Sequence, residues 1–150
     1  MPRVERVYVA LGSNLGDRAA HLAFARTRLA ALPDTRVVAV SRVEETTPLG
    51  PVPQGPYLNQ MVLLETTLDP HALLRCLLDV ETAAGRTRAP GLRWGPRTLD
   101  LDIVLFGDRE LDDAELTLPH PGLPQRDFWQ RELAELDAPA LVQPSTPRAR

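Results

Sequence analysis

The chain has 150 residues, of which 43% are hydrophobic and 25% are charged, and its formal net charge is -3. This length and composition predict one globular domain over residues 1–150 and exclude a strongly basic protein that coats nucleic acid. All 17 basic side chains are arginine. Genomic base composition explains that bias, but the bias also rules out the phosphate-binding loop that requires lysine. Any phosphate clamp must therefore use arginine, backbone amides or metal.

Cysteine content and apolar patterning indicate the compartment. Cys76 is the only cysteine, so no intramolecular disulfide can form, and we expect a reducing environment. Residues 1–9 contain no long apolar run of the kind found in a signal peptide. No stretch approaches the roughly 20 apolar residues of a membrane span. We expect a cytoplasmic protein that does not bind membranes.

The first half of the chain contains two predicted strands, a helix and a long loop. Residues 4–11 are β-branched and apolar and predict the first strand. A helix is predicted over 17–32, with Asp17 as its cap and an apolar stripe at helical spacing. A valine-rich strand follows at 35–42, and the proline-rich segment 44–56 predicts a long loop.

The second half predicts an order typical of a ferredoxin-like fold. Its elements are a strand at 57–67, a helix opened by Asp69 and Pro70 and closed by Gly85, an Arg- and Gly-rich loop at 85–96, a strand at 98–106, an extended segment at 116–124, a short helix at 126–136 and a frayed tail at 143–150. The βαββαβ order predicts an α+β plait with an antiparallel four-stranded sheet and both main helices on one face. The other face is expected to be free for a site, and the two loops of about twelve residues or more indicate function.

The strand predicted at 98–106 carries two acidic residues. Strand alternation places Asp100 and Asp102 on the same side. Leu99, Leu101 and Ile103 then point into the core. Adjacent carboxylates repel each other and are costly to desolvate, and a divalent cation such as Mg²⁺ removes that penalty. For an isolated Asp-x-Asp pair, a solvated sheet face is the alternative interpretation.

Arginines surround this acidic pair in the sequence. They are Arg86, Arg88, Arg93 and Arg97. Compensation of the preceding helix dipole explains at most one of them, whereas four beside two carboxylates are typical of a polyphosphate site. Trp94 lies in the same loop, where it is either an anchor for the loop or a lid over a ring.

Residues 93–104, Arg-Trp-Gly-Pro-Arg-Thr-Leu-Asp-Leu-Asp-Ile-Val, resemble the signature of the 6-hydroxymethyl-7,8-dihydropterin pyrophosphokinase family of folate biosynthesis. The resemblance extends over about residues 8–136. Its other matching segments, in family order, are 10–17, 46–51, 57–59, Glu81 with 85–88, 118–121 and 126–128.

The resemblance implies transfer of pyrophosphate from ATP to the hydroxymethyl group of the pterin, with release of AMP. Asp100 and Asp102 would hold two Mg²⁺ ions, and Arg86 and Arg97 would neutralise charge on the transferred diphosphate in catalysis. Positions that match the family's ATP side are Glu81, Arg86, Arg88, Arg97, Ile103, Thr117, His120 and Arg126. Arg88 and Trp94 would lie on a loop that closes over ATP and excludes water.

The resemblance also implies a pterin site. Tyr57 and Phe128 would stack on the ring, and Asn59 would pair with its edge. The other pterin-side positions are Thr46, Thr47, Pro48, Leu49 and Trp94. Without the family, Tyr57 and Phe128 would be interpreted as core residues and Asn59 as a satisfied polar residue. No general base is evident, and we hypothesise that Asp102, or a metal-bound hydroxyl path beside it, takes the substrate proton.

Three departures from the family pattern and two alternative functions accompany this prediction. Glu115 and Gly122 each stand where many members carry arginine. The family usually has an apolar segment that contains proline where this chain has Trp129 to Leu133, including Glu132. An RNA-binding plait shares the topology but needs aromatic residues on the sheet and a basic surface. A non-catalytic pterin or nucleotide binder would be a degenerate relative. We expect a monomer without a nucleic-acid partner.

Overall fold

The computed structural model describes residues 3–48, 54–85 and 98–138, and its elements follow the predicted order with short additions. They are β1 (Glu5–Ser13), α1 (Arg18–Ala30), β2 (Thr35–Val40), β3 (Glu44–Thr46), β4 (Tyr57–Thr66), α2 (Pro70–Ala83), β5 (Asp100–Phe106), β6 (Leu111–Asp112), β7 (Thr117–Leu118), a 3₁₀ turn (Leu123–Gln125) and α3 (Asp127–Glu135). The predicted α+β class is confirmed. The tail predicted at 143–150 lies outside the described residues.

The two main helices begin where the sequence predicts. Asp17 caps α1 by accepting the N–H of Ala20 at 3.1 Å, and Asp69 caps α2 by accepting the N–H of Ala72 at 2.8 Å. Gly85 follows α2 with φ +91, a left-handed conformation that favours glycine. Within the described ranges, no helix has the length and apolar content needed to cross a membrane.

The main sheet is antiparallel and has the strand order β2-β4-β1-β5. This order places β1 in the centre and β5 at an edge of the described sheet. Tyr8 pairs with Leu105 and Val9 pairs with Ile103, so Val104 is an extra residue in β5. This bulge turns both Val104 and Leu105 towards the same face.

The prediction of a loop over 44–56 is wrong at its start. Residues 44–46 form β3, which pairs with residues 57–59 of β4 on the edge that β2 also uses. Ser41 joins the two pairings, since its N–H donates to Met61 O and its hydroxyl accepts the Met61 N–H, both at 2.9 Å. The sequence does not indicate this strand for two reasons. The segment is rich in proline, and the strand depends on pairing with residues more than ten positions away.

One sheet face carries the main core under α1 and α2. Val7, Val9 and Leu11 of β1 pack there against apolar residues of both helices. The predicted inward side chains of β5, Leu99, Leu101 and Ile103, are buried in the same cluster. Strand alternation therefore turns Asp100 and Asp102 towards the opposite face, as predicted.

The prediction that the opposite face is free is wrong for half of that face. Trp129 and Leu133 of α3 are 3% and 1% exposed and pack on Tyr8, Met61 and other apolar residues of the sheet. The hydrophobic effect of burying two such side chains, about 2 kcal/mol each, explains why this short helix docks there. Tyr8 is covered by this cluster, which removes the aromatic platform that an RNA-binding plait would need. Among the described residues, this face is partly exposed at its other end, where Asp100 and Asp102 are half-buried.

Candidate active site

The open end of the sheet is a row of residues on three adjacent strands. Gly12 in the centre of the row pairs with Asn59 of β4 on one side and with Asp100 of β5 on the other. Neighbouring strands lie about 4.8 Å apart, so Asn59 and Asp100 are about 10 Å apart across the sheet. Asp102 lies one step further along the same face, opposite Ala10. An amide and two carboxylates thus lie on one face of the sheet.

Gly12 allows the side chains of β4 to lie across the central strand. A Cβ at this position would be 3.3 Å from Tyr57 Cδ2 and 3.3 Å from Asn59 Oδ1. The absence of a side chain therefore makes room for the Tyr57 ring and the Asn59 amide. The sequence prediction did not assign Gly12 a role, although an isolated glycine at the end of a strand is a signal of close approach.

Asn59 is held by the short strand β3. Its Nδ2 donates to Thr46 Oγ1, and Asn59 itself is 6% exposed. The structure therefore brings Thr46, Asn59 and Tyr57 together, as the pterin-site prediction requires. Thr47 and Pro48 continue the chain directly from β3. Phe128 begins α3 on the same sheet face and is half-buried, with its ring 6.3 Å from that of Trp129.

His120 lies beside the acidic pair. Its Nδ1 accepts the backbone N–H of Gly122 at 2.9 Å, so the neutral ring carries its proton on Nε2. That Nε2 lies 3.5 Å from Asp102 Oδ1, a long contact of the kind that tightens when a site fills. The ring packs edge-on against Trp129, with centroids 4.9 Å apart, and this contact fixes the ring plane.

Arg126 occupies the space beside Gly122. A Cβ on Gly122 would lie 1.6 Å from Arg126 Nη1, so a larger residue would displace the guanidinium. The same guanidinium lies 4.7 Å from the centroid of the Trp129 ring, within cation–π range. Gly122, a departure from the family pattern, thus makes room for the guanidinium of Arg126, the residue immediately before α3.

A cavity of about 240 Å³ adjoins the free edge of β5. Its lining includes Asp102, Ile103, Thr117 and His120, four residues predicted for the nucleotide side or the metal. Ile103 as a whole is 2% exposed, so only a small part of it can contact a ligand. Glu115, where the family pattern favours arginine, also lines this cavity.

The hairpin β6–β7 forms one wall of this cavity and is tied to α2. Asp113 Oδ1 accepts the N–H groups of Glu115 and Leu116, each at 2.9 Å, and these bonds lower the pKa of Asp113. Asp113 Oδ2 lies 2.9 Å from His71 Nε2 on α2. The hairpin was predicted only as an extended segment from residue 116, because strands of two residues leave no periodic signal.

Glu81, predicted on the nucleotide side, is 1% exposed on α2. Its Oε2 accepts the N–H of Leu101 at 2.7 Å. Any contribution of Glu81 to nucleotide binding would therefore be indirect. It would act through the backbone of Leu101, which lies between the two aspartates in β5. Five other predicted site residues lie outside the described residues: Leu49, Arg86, Arg88, Trp94 and Arg97.

Comparisons with known proteins show which family the chain belongs to. The family model described as 7,8-dihydro-6-hydroxymethylpterin-pyrophosphokinase matches residues 8–138. The chain is 46% identical over 141 residues to a 2-amino-4-hydroxy-6-hydroxymethyldihydropteridine pyrophosphokinase of Pseudomonas aeruginosa, covering 94% of this chain and 85% of that protein. A protein of the same name from Methylorubrum extorquens is 45% identical over 137 residues, with 91% and 85% covered, and one from Bacillus subtilis is 42% identical over 129 residues, with 86% and 76% covered. By its fold, its signature segments and these matches, the chain belongs to the 6-hydroxymethyl-7,8-dihydropterin pyrophosphokinase family.

Proposed function

We propose that the chain transfers the pyrophosphoryl group of ATP to 6-hydroxymethyl-7,8-dihydropterin, releasing AMP, in folate biosynthesis. The hydroxymethyl oxygen bonds to the β-phosphorus, and the bond from that phosphorus to the oxygen bridging the α- and β-phosphates breaks. AMP leaves with the electron pair. The observation that carries this proposal is the row of Asn59, Gly12 and Asp100, which sets an amide and a carboxylate on one face of the sheet with Asp102 beside them.

The acidic pair suits two Mg²⁺ ions. Asp100 and Asp102 are half-buried on one face, and Asp102 is 35% exposed at its side chain, so ligands can reach it. In the described parts of the chain, no cluster of three or more His, Cys, Asp or Glu residues could hold a metal alone. Mg²⁺ usually takes one or two protein carboxylates and fills its shell with water and substrate phosphates, so two aspartates are a sufficient set of protein ligands. Bound Mg²⁺ would neutralise charge on the triphosphate.

The protein residues divide the remaining work by position. Asn59, held by Thr46, hydrogen-bonds the pterin edge, and Tyr57 and Phe128 enclose the ring. The cavity beside β5 receives the adenosine, next to Thr117 and Ile103. His120 directs its Nε2 proton at Asp102 and so orients that carboxylate.

Arginines complete the phosphate side of the proposed mechanism. Arg126 approaches from α3, while Arg86, Arg88 and Arg97, together with Trp94, belong to the segment between α2 and β5. Asp102 accepts the proton of the substrate hydroxyl.

We also propose that the protein acts in the cytoplasm as a single-domain monomer. Light scattering of the purified protein measures its mass in solution and so tests whether it is a monomer.

The test is product analysis with ATP, Mg²⁺ and the hydroxymethyl pterin. AMP that forms only with pterin supports the proposal, whereas ADP and phosphate would indicate a different reaction, and binding without any product would indicate a non-catalytic relative. Asp100→Ala should lower turnover by about 100- to 1000-fold, the scale for losing one electrostatic group at a reacting centre. Asp108→Ala, at an exposed aspartate just after β5, is the matched control and should retain activity. Equal activity of the two variants would refute the assignment.

A further inference from the structure

A glutamate is buried on the inner face of α3. Glu132 is 1% exposed and lies between Trp129 and Leu133 in the face that packs on the sheet. Among the described residues, neither of its carboxyl oxygens receives a hydrogen bond from an N–H or O–H group. An ionised carboxylate in that position would be costly, because nothing replaces its lost hydration.

The group that faces Glu132 is a second carboxyl, from Glu44 at the start of β3. Glu44 Oε1 is bound by Arg131, whose Nη2 lies 3.0 Å and Nε 3.1 Å away. Glu44 Oε2 is buried and receives no N–H or O–H within the described part of the chain. The buried oxygens of both glutamates thus lie where Arg131 joins α3 to β3, and a hydrogen bond to Glu44 is one cause of the raised pKa of Glu132. Two carboxyl groups can make such a bond only when they share one proton.

Glu132 is the member of the pair that should hold this proton. Burial, followed by the hydrogen bond to Glu44, raises the pKa of Glu132 to about 9. Arg131 compensates Glu44, so the ionised member of the pair is the one with a cationic partner. Glu132 then donates its O–H to Glu44 Oε2, and the pair carries a single negative charge at neutral pH.

The pair joins two elements that form walls of the pterin site. Glu44 begins β3, and two residues later Thr46 accepts the Asn59 amide. Glu132 lies one helical turn after Phe128 on α3. We propose that neutral Glu132 is a positioning residue for the pterin, fastening α3 to β3 so that Phe128 and Asn59 keep a fixed separation. This inference rests on the proposed function, since it deepens the account of the same site.

Other charges near the pair complete its electrostatic setting. On α3 itself, Arg131 lowers and Glu135 raises the pKa of Glu132. Glu135 in turn accepts the N–H of Arg42 at 2.9 Å, with the Arg42 guanidinium 3.6 Å away, which gives a second but exposed link between α3 and the chain before β3. The sheet contributes Tyr8 and apolar residues to the cluster beside Trp129. Of the described contacts of α3 with Arg42 and Glu44, the ion pairs of Arg131 and Glu135 are partly exposed, whereas Glu132 is buried and its link to Glu44 depends on a proton.

Steady-state kinetics of Glu132→Ala and Glu132→Gln tests the role. In Glu132→Ala, KM for the pterin should rise about tenfold, the effect of one lost hydrogen bond, with KM for ATP within about twofold of wild type. Glutamine keeps a donor for Glu44 Oε2 but cannot ionise, so Glu132→Gln should restore the pterin KM at pH 7. Above pH 9 the wild-type pterin KM should exceed that of Glu132→Gln. A surface glutamate on β4, changed as Glu65→Gln, is the matched control and should follow wild type throughout.

Several results would overturn the inference. It fails if the pterin KM is unchanged in Glu132→Ala, if both KM values rise together, or if Glu132→Gln follows the wild-type pH profile. If Glu132→Ala does not fold, the pH comparison with Glu132→Gln still decides the matter. A wild-type protein that makes no AMP rejects the proposed function instead. The positioning contact is then judged by amide exchange of residues 44–46 at pH 7, which must be faster in Glu132→Ala and return to the wild-type rate in Glu132→Gln.

Discussion

The buried glutamate pair predicts an unusual dependence of folding stability on pH. The ordinary pKa of Glu132, 4.5, applies to the unfolded chain, and the pKa is about 9 in the folded protein. Between these values the folded state holds one more proton than the unfolded state. The free energy of unfolding should therefore fall as pH rises, by about 1.4 kcal/mol per pH unit for one proton. This contribution is complete below the unfolded pKa and is lost as pH approaches the folded pKa.

Glu132→Gln isolates this effect, because glutamine has no proton to lose. Between pH 6 and pH 8, the stability of the wild type relative to this variant should decrease by about 3 kcal/mol. Urea unfolding at pH 6, 7 and 8 measures the difference, and other titrating groups cancel since both proteins carry them. Glu65→Gln, which removes a surface ion pair with Arg36, should give curves parallel to wild type. Parallel curves for Glu132→Gln as well would refute the shared proton.

Three further changes test the site and the helix caps. Gly12→Ala places a Cβ 3.3 Å from Tyr57, so the ring must shift, and we expect the pterin KM to rise about threefold to tenfold without a change in KM for ATP. His120→Ala removes the side chain that we propose orients Asp102. The rate of Mg²⁺-dependent AMP formation should then fall about 10- to 100-fold, and full activity would contradict that role. Asp69→Ala removes the cap of α2 and should lower the free energy of unfolding by about 1 kcal/mol in urea while leaving KM values unchanged.

The regular elements could be predicted because their signals are local. Asp17 and Asp69 accept the capping N–H groups that their positions in the sequence indicate. Alternation in β5 correctly placed Asp100 and Asp102 opposite the buried leucines, since a strand has only two sides. In each case, the structure is determined by residues that are close together in the sequence.

The additions to the fold depend on distant partners. β3 has three residues and exists because Tyr57 to Asn59 present an open strand edge to it. Helix α3 was predicted, but its place on the second sheet face was not. That docking requires Trp129 and Leu133 to meet apolar residues of β1 and β4, and amphipathic spacing alone does not say which surface a helix covers.

The site residues also divide into those with a local signal in the sequence and those that depend on distant pairing. Strand alternation singled out the acidic pair and the family resemblance pointed to Asn59, whereas the position of Gly12 between them emerges only from the register. Register depends on pairing over the full length of β1, so no local pattern around Gly12 could supply it.

The burial and protonation state of Glu132 could not be predicted from the sequence, and the reason is physical. A glutamate flanked by Arg131 indicates a solvated residue, because an ionised carboxylate is rarely buried. In the folded chain, Arg131 binds Glu44 Oε1, and the same distant glutamate contributes to the raised pKa of the buried Glu132. The protonation state of Glu132 is therefore a property of the contact between β3 and α3. It is set by folding, so it can be read only after the two elements have been placed together.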